Sequence, residues 1–259
     1  MTTAAEHYER LLAEHYTWML GGDIEAAASG QAALLADAGL PVGTGEGGGD
    51  IAVDLGCGPG PQTLALARHG YARVIAVDTS TRLLDELTAH AADAGLAGTI
   101  RPVHGDIRQA LPQVLDAAKA AVIVCMGDTL PHLPSKADVS RLLHDVATAL
   151  RPGGRFLATY RDLSREVQGT DRFIPVRGTD DRLLTCFLDY TDDDTVQVHD
   201  LLHLRGADGG WELRTSSYPK LRLDPTWLAN QCREAGLDVR HAAPGPRGLH
   251  ILHATKPDS

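Results

Sequence analysis

The densest chemistry in the chain is the run Val53-Asp54-Leu55-Gly56-Cys57-Gly58-Pro59-Gly60, where a short apolar stretch ends in three glycines spaced two apart. Glycine lets the backbone take positive φ and approach a ligand closely, and the amides that open the following helix attract a carboxylate or phosphate. Asp78 follows Gly60 by 18 residues, at the end of the next apolar run. A carboxylate there can accept both hydroxyl hydrogens of a ribose. Together these residues predict a site for an adenosine-containing cofactor. Spacing alone leaves a nucleotide-dependent oxidoreductase possible, although its usual glycine pattern is G-x-G-x-x-G rather than the G-x-G-x-G found here.

Such a turn must be carried by a sheet. From residue 50 the chain alternates short apolar runs (51–55, 73–77, 100–104, 121–125 and 155–160) with helical stretches, among them 81–94 and 135–150. That alternation predicts a parallel sheet covered on both faces. The helix over 135–150 is marked by a capping box, Ser135 with Asp138, and by the stripe Val139, Leu142, Leu143, Val146 and Leu150; Pro152-Gly153-Gly154 ends it. Ahead of the sheet, Tyr8, Leu11, Leu12, His15, Tyr16 and Met19 recur at helical spacing within 4–20, and Gly21-Gly22 stops that helix. Asp23 caps a second helix that ends near Gly39, and 43–49 is a glycine-rich linker. After Asp162 the pattern becomes strand-like alternation over 183–190, 195–204 and 211–218, an antiparallel meander. Asp224-Pro225 then starts a helix ending at Gly236, followed by strands over 237–242 and 249–255. The expected organisation is a helical lid (1–49), a cofactor-binding α/β core (50–162), a meander that caps the substrate (163–223), and a helix with strands completing the core (224–259).

Composition narrows the function classes. The 259 residues are 43% hydrophobic and 22% charged, which suits one globular α/β domain with one active site. A net charge of −10 disfavours a surface that tracks phosphates, so no nucleic-acid partner is expected. Cys57, Cys125, Cys186 and Cys232 are too far apart for a Cys-x-x-Cys pair and read as thiols in a reducing compartment. The opening residues show no basic stretch followed by an apolar one, and the most apolar run, 120–126, is far below spanning length. A cytoplasmic protein without a membrane partner is expected, with homo-oligomer formation left open. The 12 histidines follow no metal-ligand spacing, and Asp192-Asp193-Asp194 reads as a solvated turn, so no metal is expected.

Asp54-Leu55-Gly56-Cys57-Gly58-Pro59-Gly60, Asp78, Gly105-Asp106-Ile107 and Leu150-Arg151-Pro152-Gly153-Gly154 resemble the class I S-adenosylmethionine-dependent methyltransferases over roughly residues 50–160. The resemblance implies a seven-stranded Rossmann-like sheet with its last strand antiparallel. It places the cofactor's methionine at Gly56, Gly58 and Gly60, its ribose at Asp78, and its adenine near Asp106 and Ile107. Trp18, Asp54, Cys57, Thr79 and Met126 complete the implied cofactor set. Three further segments, 122–133, Tyr160-Arg161-Asp162 and Ser216-Ser217-Tyr218-Pro219, look like the glycine and sarcosine N-methyltransferase branch. By that resemblance Asp128, His132, Arg161 and Tyr218 line the acceptor pocket, with Arg161 holding a carboxylate. Two departures stand out: the branch has Asn where Asp128 stands, and no arginine occurs between Arg10 and Arg68 to meet the cofactor's carboxylate.

The implied reaction is methyl transfer from a sulfonium to a small-molecule acceptor, an amine before a hydroxyl or carbon. Asp128 or His132 would take the proton of the amine. Asp128 and Arg161 are expected to hold opposite ends of the acceptor. The rival of a different class is a non-catalytic cofactor-binding module. His199 and His203 share one strand face with no partner in the pattern and are left outside the site.

Overall fold

The computed structural model describes residues 3–40, 42–43, 50–115, 119–245 and 248–258. A seven-stranded sheet forms its centre, in the order β10-β11-β5-β4-β1-β2-β3. Its strands are β1 (Ile51–Leu55), β2 (Arg73–Asp78), β3 (Ile100–His104), β4 (Ala120–Cys125), β5 (Leu150–Arg161), β10 (Asp238–Pro244) and β11 (Leu249–Thr255). Strands β1 to β5 pair in parallel, while β11 runs antiparallel to both β5 and β10. The predicted seven-stranded Rossmann-like methyltransferase fold is therefore present.

Alternation along β1 explains the two-sided burial. Ile51, Val53 and Leu55 join a core with α6 (Ile107–Leu115), α7 (Lys136–Ala149) and α8 (Pro225–Glu234). Ala52 faces the opposite layer, formed by α3 (Ile24–Asp37), α4 (Pro61–Arg68) and α5 (Thr81–Asp93). The caps follow the sequence signals. Asp23 Oδ1 accepts the N–H groups of Glu25 and Ala26, Ser135 caps α7 through the Asp138 N–H, and Asp224 caps α8 through the Trp227 N–H.

Between β5 and α8 lies a second, four-stranded antiparallel sheet made of β6 (Phe173–Gly178), β7 (Arg182–Tyr190), β8 (Thr195–Arg205) and β9 (Trp211–Leu221), paired in that order. The meander thus has a fourth strand that the pattern did not reveal. β6 contains Pro175 and a register shift between Pro175 and Arg177, both features of an edge strand with weak alternation.

The N-terminal segment differs from the single helix expected over 4–20. It consists of α1 (Ala4–His7), a wide π turn at Tyr8–Leu12, a 3-10 turn at Ala13–His15, and α2 (Tyr16–Met19). Leu11 and Leu12 bury themselves against Leu184 and Leu202 of the meander, so this segment is docked on the second sheet. The proposed linker over 43–49 lies, beyond Gly43, outside the described residues. No described helix is long and apolar enough to cross a membrane.

Candidate functional site

Open α/β sheets bind ligands beyond the carboxyl ends of their strands, where the strand order reverses. Here that point falls between β1 and β4. A cavity of about 320 Å³ occupies it. Gly56 and Gly58 come from the turn after β1; Asp78, Thr79, Asp106 and Ile107 come from the β2 and β3 ends. Gly127, Thr129 and His132 follow β4, and the N-terminal segment adds Tyr8 and Tyr16.

The glycine turn is tied to β2. The Gly56 and Cys57 N–H groups both donate to Val77 O, at 2.8 and 3.1 Å, and the Gly58 N–H donates to Asp78 Oδ2 at 2.8 Å. Gly56 has φ of +77°, and a Cβ there would lie 2.4 Å from Thr129 Cγ2. Only glycine fits both the left-handed backbone and that close approach. Asp54 is fully buried behind the turn; Thr63 Oγ1 donates to its Oδ2 at 2.6 Å, while its Oδ1 has no partner among the described residues. Burial pushes its carboxyl up to about 7, the Thr63 hydroxyl offsetting only part of the effect.

Asp78 Oδ1 accepts the Ser80 N–H at 2.9 Å. With Oδ2 on Gly58, each oxygen keeps a lone pair for a ligand, and burial raises the carboxyl above its ordinary value despite the N–H donors. Asp106 is gripped by Arg108, whose Nε lies 2.9 Å and Nη2 2.5 Å from Oδ2, and this pairing holds the carboxyl below its ordinary value.

Of the residues expected on the cofactor side, Gly56, Gly58, Asp78, Thr79, Asp106 and Ile107 line the cavity. Asp54, Cys57, Gly60 and Met126 stand behind its wall and shape it; the Met126 carbonyl accepts the Thr129 hydroxyl at 3.0 Å. Trp18 does not reach the cavity. Its indole N–H donates to Thr179 Oγ1 at 3.3 Å, and the guanidinium groups of Arg177 and Arg182 lie over its ring. Residues two apart on a helix face different ways, so with Tyr16 turned to the cavity Trp18 is turned to the meander.

The acceptor set is rearranged more deeply. His132, in a 3-10 turn at Leu130–His132, lines the cavity. Its ring lies 5.5 Å from that of Tyr8 and 5.4 Å from that of Tyr218, and its Nε2 is sealed from solvent with no partner among the described residues. Burial, with Lys220 nearby, presses the imidazole down to about 3. Tyr218 is buried beneath it. Burial also holds the phenols of Tyr8 and Tyr218 far above their ordinary value, so both remain hydroxyl donors.

Asp128 does not stand opposite Arg161, as the resemblance implied. Its Oδ2 accepts from Lys220 Nζ at 2.5 Å, its Oδ1 accepts the Arg161 backbone N–H at 2.7 Å, and the Arg161 Nε is 4.0 Å from the same carboxylate. Burial would raise this carboxyl, but Lys220, His132 and the Arg161 N–H together hold it below its ordinary value. The two residues form one cluster because β5 ends beside the loop that follows β4, and neither is among the described residues that line the cavity.

Sequence reasoning missed Tyr8, His7, Asp200 and Lys220. His7 Nε2 and Asp200 Oδ2 are 2.7 Å apart in full burial, Cys186 Sγ donates to Asp200 Oδ1, and the His7 ring lies 4.2 Å from that of Tyr218. A signal for Asp200 was present: it shares the inward phase of β8 with Val196, Val198 and Leu202. Lys220 likewise falls two residues after Tyr218 on β9. A charge on the buried phase of a strand requires a partner, which points to a buried polar cluster.

The sheet order and this cavity define a Rossmann-like methyltransferase architecture. Residues 52–154 match the family described as a methyltransferase domain. Over 137 residues the chain is 31% identical to a ubiquinone biosynthesis O-methyltransferase of Methylobacterium sp. (strain 4-46), covering 50% of this chain and 51% of that protein. The chain thus spans about half the length of the curated relative it matches. Among solved structures, a methyltransferase from Clostridium acetobutylicum has a TM-score of 0.70 at 16% identity, covering 98% of this chain and 97% of that one. The S-adenosylmethionine-bound amino pentose methyltransferase CalS10 from Micromonospora echinaspora has a TM-score of 0.71 at 14% identity, covering 94% and 95%. At these identities the structural likeness concerns the fold.

Proposed function

We propose that this protein is an S-adenosylmethionine-dependent methyltransferase that acts on the amine nitrogen of a small molecule. The cavity carries this reading, because the glycine turn, Asp78 and the Asp106–Ile107 corner line it together with Tyr8, Tyr16, Thr129 and His132. The residues fit the cofactor. The Gly56 and Gly58 backbone would receive its amino-acid end, the free lone pairs of Asp78 its ribose hydroxyls, and Asp106 with Ile107 its adenine. When bound, S-adenosylmethionine supplies a methyl group on a cationic sulfur that departs as a neutral thioether.

The protein's own contribution is positioning and exclusion of water. Tyr16, whose phenol is pushed up to about 12 by burial and by Asp78, stays protonated and offers a donor on the cavity wall. His132 is a neutral acceptor at neutral pH. With its imidazole near 3 it is too weak a base to strip a hydroxyl, but as a neutral ring on the cavity wall it can accept an N–H from an uncharged amine and aim the nitrogen lone pair. An amine becomes nucleophilic on losing its extra proton to solvent, whereas a hydroxyl needs a strong base in the site. That contrast favours nitrogen over oxygen, in keeping with the amino pentose methyltransferase among the structural neighbours. The O-methyltransferase relative supports the alternative, a hydroxyl acceptor.

The test is a pooled-metabolite screen with labelled methyl donor, followed by kinetics on the acceptor found. Turnover should rise with pH up to the amine's own pKa, and His132→Ala should lower kcat more than it raises KM. A preferred acceptor offering only hydroxyl or carbon nucleophiles would reject the amine assignment. Failure to bind S-adenosylhomocysteine would reject the methyltransferase assignment.

A further inference from the structure

Among the described residues Asp128 is the one non-glycine with positive φ, at +76°, directly after Gly127 at +77°. A side-chain-bearing residue holds such a conformation where its surroundings over-determine it. The Asp128 N–H donates to Thr159 O at 3.0 Å, and its Oδ1 accepts the Arg161 N–H, so two of its anchors belong to β5. The third is Lys220 of β9, 92 positions along the chain and part of the meander. Lys220 is 8% exposed and Asp128 7%. The loop fixed in this way brings Gly127, Thr129 and His132 to the cavity wall, and Thr129 fits so closely that a single Cβ at Gly56 would collide with it.

We infer, building on the methyltransferase reading, that Lys220 is a positioning residue. Through Asp128 it clips the loop after β4 to the meander, so that the wall shared by cofactor and acceptor is complete only when the second sheet is docked. Asp128 is then the receiving half of the clip and not a proton acceptor. Both its oxygens are engaged by N–H donors, it is absent from the cavity wall, and its charge is neutralised by a buried ammonium. His132, which does line the wall, is carried by the clipped loop.

Removing one partner of a buried ion pair leaves an uncompensated charge, whereas replacing both by neutral side chains is often tolerated. Asparagine tolerates the left-handed region and its amide oxygen can still accept the Arg161 N–H. The clip therefore predicts rescue: Asp128→Asn and Lys220→Met should each be damaging, and the double variant should recover. A proton acceptor at Asp128 predicts the reverse, since removing Lys220 cannot restore a lost base.

The experiment uses the full chain with S-adenosylhomocysteine as probe, read by calorimetry and by hydrogen exchange over 126–133. Each single variant should bind at least about tenfold more weakly and exchange faster in that loop, and the double variant should return to within about threefold of the native affinity. If a single variant fails to fold, a folded double variant gives the same answer, and a double variant that also fails to fold overturns the clip. So do native behaviour in both single variants, or a double variant no better than the worse single. On an identified acceptor the double variant should keep the native pH profile of kcat; turnover lost at neutral pH and regained at high pH would return Asp128 to the role of base. Should the native chain not bind the probe at all, the methyltransferase reading falls, while loop exchange and thermal midpoints across the four proteins still decide the clip.

Discussion

Asp78→Asn separates charge from shape at the ribose side of the cavity. In the native chain one carboxylate oxygen accepts the Gly58 N–H at 2.8 Å and the other the Ser80 N–H at 2.9 Å, leaving a lone pair on each for a ligand hydroxyl. An amide keeps one oxygen and sets its NH2 against the other backbone N–H. The variant therefore loses one internal hydrogen bond and one ligand acceptor, and its remaining acceptor is uncharged. Hydrogen bonds to charged groups contribute about 1.5–3 kcal/mol, so S-adenosylhomocysteine should bind about tenfold to a hundredfold more weakly. The pH dependence gives a second signature. Burial raises the Asp78 carboxyl above the ordinary aspartate value, so acidification removes its charge sooner than in a solvated aspartate. Native affinity should fall as pH drops through that raised value, and the asparagine variant should lack this component. Calorimetry on both proteins over a pH series running from neutral down to the acid limit of the fold, with circular dichroism to establish folding, makes the comparison. Native affinity in a folded variant at neutral pH, or the same pH dependence in both proteins, would refute the assignment of Asp78 to the ribose.

Gly56→Ala combines a left-handed backbone, which costs about 1–2 kcal/mol for a side-chain-bearing residue, with a collision against Thr129; cofactor binding should be lost, and calorimetry on the folded variant checks it. Asp54 titrates near 7 in the folded chain against an ordinary 3.8, so the native state holds an extra proton between those values and this group's contribution to stability is lost as pH rises through the window. Asp54→Asn should therefore gain on the native protein as pH rises, by at most about 4 kcal/mol at 1.36 kcal/mol per pKa unit; urea midpoints that shift equally at low and high pH would count against it. His7→Ala leaves Asp200 buried with only the Cys186 thiol as side-chain partner among the described residues, which should destabilise the chain by about 3–5 kcal/mol and speed hydrogen exchange over residues 3–20; unchanged exchange there would show that the pair does not hold the N-terminal segment.

The elements that position the cofactor were readable because their signals are local. The glycine turn, the apolar runs of β1 to β4, the Ser135 cap and the Asp224-Pro225 start each lie within a few residues of what they specify. β11 was predicted over the residues it occupies. β6 escaped because an edge strand with a proline carries little alternation. Tyr8 and Trp18 were misjudged for a different reason. Helical spacing groups residues on a face but does not say what the face meets, and the π and 3-10 turns at 8–15 break the single stripe.

Residue order by itself determined the α/β core, the glycine turn and the strand-end carboxylates, on which the proposed cofactor site rests. Each of these follows from backbone conformation and short-range periodicity. Tertiary structure alone decided the surroundings of the residues expected at the acceptor. Asp128 looked like a base while its partner, Lys220, was 92 positions away; only docking of the meander brings an ammonium within 2.5 Å, and that contact turns a reactive carboxylate into a neutralised anchor. The same docking sets Lys220 and Tyr218 near His132, whose basicity desolvation and Lys220 lower, and it pairs His7 with Asp200 across 193 positions. Charge state depends on desolvation and on neighbours in space, and neither quantity is carried by spacing along the chain.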